Sequence, residues 1–152
     1  MLKFFRRIFE PKQRLELEHP ILGKLQLEKG AAGPYWLREA YSDGELTICV
    51  DTIGEALPSE SQVQFFQWVI GSIESIYQSV ASELEVLHLN MQSKLVNPEW
   101  SRSFRLASFD VPLEGNRNLS WEITFECLTD NSGNLYTCHF ENGALAHISV
   151  DT

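Results

Sequence analysis

The stretch SESQVQFFQWVIGSIESIYQSVASELEVLHLNM, residues 59–91, decides the fold. Pro58 precedes it, and Ser59 with Gln62 three residues on has the pattern of a capping box, in which each side chain bonds the other residue's backbone N–H. From there Val63, Phe66, Ile70, Ile73, Tyr77, Val80, Leu84, Leu87 and Met91 recur at alternating steps of three and four. That spacing predicts one apolar stripe along a helix of about thirty residues. Asn97-Pro98 sets its latest end, because the residue before a proline leaves the helical region.

A seven-residue repeat is also the mark of a coiled coil, but the flanks argue against it. Between Arg38 and Lys94 there is no Lys or Arg, so Glu60, Glu74, Glu83 and Glu85 would repel across a parallel pair of copies. Phe65, Val69 and Ile76 also widen the stripe towards the ~100° face of a helix lying on a sheet. The expectation is a helix packed in the core.

Both flanks read as strands. Before the helix, residues 15–28 form an extended run interrupted at His19-Pro20 and Gly23, followed by runs at 35–41 and 45–51. Ser42-Asp43-Gly44 joins the last two with an Asp-Gly hairpin signal, which predicts a three-stranded meander. After the helix come residues 104–113, 119–128, 135–140 and 144–150. Glu114-Gly115-Asn116, Asp130-Asn131-Ser132-Gly133-Asn134 and Glu141-Asn142-Gly143 separate them. A three-residue final turn with Gly143 left-handed sets Phe140 opposite Ala144. The core face is then Trp121, Ile123, Phe125, Cys127, Tyr136, Cys138, Phe140, Ala146 and Ile148, with Val150 on the same side. The expected architecture is α+β: an antiparallel sheet built from two β-meanders, one long central helix packed on it, and a short N-terminal amphipathic helix.

The chain has 152 residues, 43% of them hydrophobic, which suits a single domain over residues 15–152. Residues 1–14 stand apart as a leader of five cations and one acid, whereas the whole chain carries −9. Leu2, Phe4, Phe5, Ile8 and Phe9 fall on one helical face of the leader and Lys3, Arg6 and Arg7 on the other. The segment is too short and too charged for a secretory signal or a membrane span. The acidic body attracts its cations, so the favoured expectation is docking of Phe5 and Phe9 on the folded domain. Weak attachment to an anionic membrane surface through Leu2, Phe5, Phe9, Lys3, Arg6 and Arg7 is the alternative. Three cysteines, an odd number without close spacing, suit reduced thiols in a cytoplasmic protein.

No catalytic motif stands out: there is no G-x-S-x-G elbow, phosphate-binding glycine loop, H-E-x-x-H or C-x-x-C. Glu85 and His88 have the E-x-x-H spacing of di-iron bundles, but one long helix cannot supply the second copy such a site needs. Cys127 and Cys138 are expected to face each other, or nearly so, as inert buried thiols, with Cys49 the most exposed of the three. His139 and His147 share the outer face of the final hairpin with Glu122 and Glu126. That constellation is the one alternative for a metal-dependent or hydrolytic enzyme. No cofactor is expected, and the acidic body would repel nucleic acid.

His19-Pro20-Ile21-Leu22-Gly23-Lys24-Leu25, an aromatic strand around Trp36, an acidic turn, a central helix and a terminal Phe140-Glu141-Asn142-Gly143 hairpin occur in that order. In these the chain resembles a group of small uncharacterised bacterial α+β domains, some of which are placed in toxin-immunity loci. The resemblance implies a binding protein and carries no catalytic residues. Residues 39–85 hold nine acids and no Lys or Arg. The expected function is therefore a non-catalytic, immunity-like interaction module gripping a basic protein partner, with Glu39, Asp43, Glu45, Asp51 and Glu55 as the contact residues.

Overall fold

Among the described residues four strands precede the helices and four follow them. The computed structural model describes residues 14–41, 44–129 and 133–151. The first strands are β1 (Glu16–His19), β2 (Gly23–Gly30), β3 (Gly33–Arg38) and β4 (Thr47–Asp51). Helices α1 (Glu60–Gly71) and α2 (Ile73–Gln92) come next, followed by β5 (Phe104–Val111), β6 (Trp121–Cys127), β7 (Leu135–Glu141) and β8 (Ala144–Asp151). All eight strands lie in one sheet in chain order. Residues 1–13, residues 42 and 43 between β3 and β4, residues 130–132 and residue 152 lie outside the described residues, so the expectations placed on the leader's helix and on Asp43 are not addressed by this structure.

The fold is α+β with a mostly antiparallel sheet. One pairing departs from the expected wholly antiparallel order, because β4 and β5 run parallel. Antiparallel neighbours can be joined by a tight turn, whereas parallel ones need a long crossover, and here α1 and α2 form it. The run expected at residues 15–28 is two strands. His19 Nδ1 accepts hydrogen bonds from the N–H groups of Ile21 and Leu22, both at 3.1 Å, and folds the chain over at Pro20.

The single long helix expected from the stripe is broken in two. Gly71 and Ser72 mark the break: Ser72 sits at φ −120°, ψ 16°, and its N–H donates to Val69 O three residues back. Glycine and serine together are a common cause of such kinks. The buried positions are also rotated from the strict repeat. Phe65, Val69, Ile76, Tyr77, Val80, Leu84 and His88 are buried, whereas Ile70 and Met91 are exposed. A helix lying on a sheet is not supercoiled, so a strict seven-residue stripe drifts ~20° per heptad and its ends leave the interface.

The capping box forms as expected, with Ser59 N–H donating to Gln62 Oε1 and Gln62 N–H to Ser59 Oγ. Gln62 does more than cap. Its Nε2 donates to the carbonyls of Asp51 (2.7 Å) and Pro112 (3.2 Å), the residues at or just beyond the ends of β4 and β5, and so pins the start of α1 across the parallel seam. Gly115, left-handed at φ +61°, packs so close to this turn that a Cβ would collide with the Ser61 carbonyl.

Both helices cover the same face of the sheet. Phe65 meets Trp121 edge to face, Phe66 stacks on Phe109, and Tyr77 packs on Phe125. Trp36, Ile48, Val50, Phe109, Val111, Ile123, Phe125, Tyr136 and Cys138 form the sheet's half of this core. The last turn is shorter than expected. Glu141 pairs with Ala144 around a two-residue turn, Asn142 (φ 52°) and Gly143 (φ 77°), the doubly left-handed geometry that Asn-Gly favours. A bulge at Ala146 then restores the alternation, so Phe140, Ile148 and Val150 stay on the covered side while Ala146 is exposed.

Candidate functional site

The opposite face of the sheet carries no helix among the described residues, and the strand register fixes which side chains it presents. Cys49 pairs with Asp110 across the parallel seam, Glu122 with His139, and His139 with His147. Asp110 follows Phe109, the partner of Ile123, which brings Asp110 beside Glu122. Cys49, Asp110, Glu122, His139 and His147 therefore form one row across β4 to β8, with Asp51 one line further along β4. Every second residue of a strand shares a face, so the intervening Val50, Phe109, Val111, Ile123 and Phe140 point into the core.

This row is electrostatically crowded. Burial pushes the Asp110 carboxyl up to about 7, and the neighbouring Glu122 and Asp51 carboxylates push in the same direction. Burial raises Asp51 as well. The Cys49 thiol is pushed up to about 12, first by burial and then by Asp110, Asp51 and Glu122, so it is not a nucleophile at neutral pH. Four of the described cations pair with other acids: Arg14 with Glu28, Lys24 with Glu16, Arg102 with Glu99, and Arg105 with Glu126. A recess of about 160 Å³ opens beside Asp110, Glu122 and His139.

The two outer histidines are together, as the sequence indicates, but not as a ligand pair. Their rings stack with centroids 4.1 Å apart and planes 11° from parallel. His139 uses both nitrogens, Nδ1 against Glu122 Oε1 at 2.8 Å and Nε2 against Ser149 Oγ at 2.9 Å. Glu126 is taken by Arg105 at 2.5 Å and leaves the constellation. No group of three or more His, Cys, Asp or Glu side chains among the described residues could hold a metal ion.

The remaining candidates separate. Glu39 and Glu45 are exposed beside the start of β4, whereas Asp51 is half-buried at its end and Glu55 exposed beyond it. Glu60, Glu74, Glu83 and Glu85 lie on the helices, on the far side of the sheet, so the acidic run of residues 39–85 is not one surface. Glu85 accepts from Tyr77 Oη at 3.0 Å, while His88 is buried against Phe104 and Tyr136. Cys127 and Cys138 are buried free thiols but do not face each other, since Cys138 pairs with Ile123 and the Cys127 N–H bonds Asn134 O. Cys49 is the most exposed of the three, though half-buried.

Asp110 is the residue that sequence reasoning missed. Its outward parity between Phe109 and Val111 was readable, but its carboxylate neighbours depend on the parallel pairing of β4 with β5. None of the helices described is long and apolar enough to cross a membrane. Comparison with family models, with curated proteins and with solved structures gives no match.

Proposed function

We propose that the chain is a non-catalytic protein-interaction module that receives a basic partner on the open face of its sheet, as an immunity-like protein would. The observation that carries this reading is the state of Asp110: a carboxyl held near 7 by burial, Glu122 and Asp51, with no lysine or arginine of the described residues paired to it. Perturbed acids of this kind concentrate at functional sites. A partner's lysine or arginine would supply the missing cation, relieve the repulsion and discharge the Asp110 proton. Glu39, Glu45 and Glu55, exposed around the two ends of β4, would add long-range attraction rather than contact.

A lysine-rich peptide, set against a glutamate-rich peptide of equal length, tests the reading. Binding of the lysine-rich peptide should weaken as salt rises, strengthen as pH rises through 7 and ionises Asp110, and fall about tenfold or more in the triple variant Asp51→Asn, Asp110→Asn, Glu122→Gln. Binding that ignores salt, or survives in the triple variant, overturns it.

A further inference from the structure

The break between α1 and α2 opens a cleft of about 520 Å³ against the ends of β6 and β7, on the covered side of the sheet and away from the acidic row. Its size falls within the range of small-molecule sites, roughly 300 to 1,000 Å³. Three aromatic rings make its apolar wall. Trp121 stacks on Phe140 with centroids 4.6 Å apart and planes at 10°, and Trp68 meets Trp121 edge to face at 5.9 Å. The facing wall is α2, which presents Ser72, Ser75 and Ser79, hydroxyls where larger side chains would close the space. Ser72 stands at the N-cap of α2 but makes no side-chain capping bond.

The charge of the cleft runs against that of the protein. No carboxylate of the described residues lines it, although the chain carries −9 overall. Among the described residues its one ionic group is Arg117, from the connection between β5 and β6, whose guanidinium lies over the Trp68 ring at 3.6 Å from the centroid. No acid among the described residues forms a salt bridge with it. A guanidinium seated over an indole has N–H donors to spare, and such donors match a carboxylate in bidentate geometry.

We infer that this cleft binds a small organic anion with a flat unsaturated body, an aromatic carboxylate in its simplest form. The rings would lie against Trp121 and Phe140, and the carboxylate would meet Arg117, with the Ser72 and Ser75 hydroxyls as further donors. This site is independent of the acidic face, because it uses the opposite charge and the opposite side of the sheet.

Naphthoate and its neutral isostere naphthamide are the probes, followed by amide proton–nitrogen correlation spectra of the whole chain. Naphthoate should shift the amide signals of Ser72, Ser75, Asn118 and Gly143 saturably, and naphthamide should bind about tenfold more weakly, the scale of one charge-assisted contact. Arg117→Gln should erase the difference between the two while the chain still melts in one cooperative transition, only slightly lowered by loss of the contact with Trp68, and Ser75→Phe, which fills the cleft, should weaken both. Absence of saturable shifts at those amides overturns the inference. So does equal binding of acid and amide by the unaltered chain, or a preference for the acid that survives Arg117→Gln.

Discussion

The two faces of the sheet are built from the same strands, residue by residue in alternation, yet they follow opposite rules. On the covered face Trp36, Phe109, Ile123, Phe125 and Tyr136 are all but inaccessible to water and share one core with Phe65, Val69, Tyr77, Val80 and Leu84 of the helices. On the open face Asp110 is half-buried, and burial together with the Glu122 and Asp51 carboxylates raises its affinity for protons. The first arrangement gains stability from every contact, whereas the second gives some of it up. A face that lowers stability persists where binding needs it, which is why the acidic row, and not the core, carries the functional proposal.

Substitutions on the two faces should therefore shift stability in opposite directions. The largest effect is expected in the core, where Phe125→Ala removes a ring fully buried among Tyr77 and Trp100 and should cost about 3 to 5 kcal/mol in chemical denaturation. Opposite in sign comes Asp110→Asn, which should stabilise the chain at pH 8 by about 2 to 4 kcal/mol. The pH dependence gives the sharper reading. In the folded chain Asp110 titrates near 7, and in the unfolded chain at about 3.9. Between those values the folded state holds a proton that the unfolded state lacks, so stability falls as pH rises through the window and stays low above it. Melting curves of the unaltered chain should show that decline from about pH 4 to 7, and curves of Asp110→Asn should show it flattened. A variant no more stable than the parent at pH 8 would break the contrast between the faces.

Smaller effects test its edges. Gln62→Leu keeps the volume beneath the seam but leaves the Asp51 and Pro112 carbonyls without their donor, and should cost about 1 to 3 kcal/mol in the same denaturation assay. His147→Ala, on the exposed last strand, should stay within about 0.5 kcal/mol of the parent by thermal melting.

Much of the covered face was legible in the sequence, because burial imposes alternation: Trp121, Ile123, Phe125, Tyr136, Cys138 and Phe140 lie where their period of two puts them. The capping box at Ser59 was legible for a similar reason, being a local pattern with a local cause. The kink was less so, since Gly71-Ser72 leaves the apolar stripe uninterrupted while breaking the backbone beneath it. Ala146 escaped because a bulge corrects a turn that would otherwise have reversed the strand, and period counting cannot tell that from a longer turn. Asp110 and the cleft at Arg117 escaped for a different reason: each is made by elements distant in the chain, and no local spacing records that Cys49 meets Asp110 or that Trp68 meets Arg117.

The parallel seam has a bearing on how the chain reaches this state. The other strand pairs among the described residues join neighbours across short connections, whereas the connection from β4 to β5 runs through both helices. Closing that loop carries the largest entropic cost of any pairing in the sheet, so the hairpins on either side can form early and the seam last. Gln62, bonded to the carbonyls at the C-terminal ends of both strands, then acts as a latch on the one pairing that neither half of the sheet makes by itself.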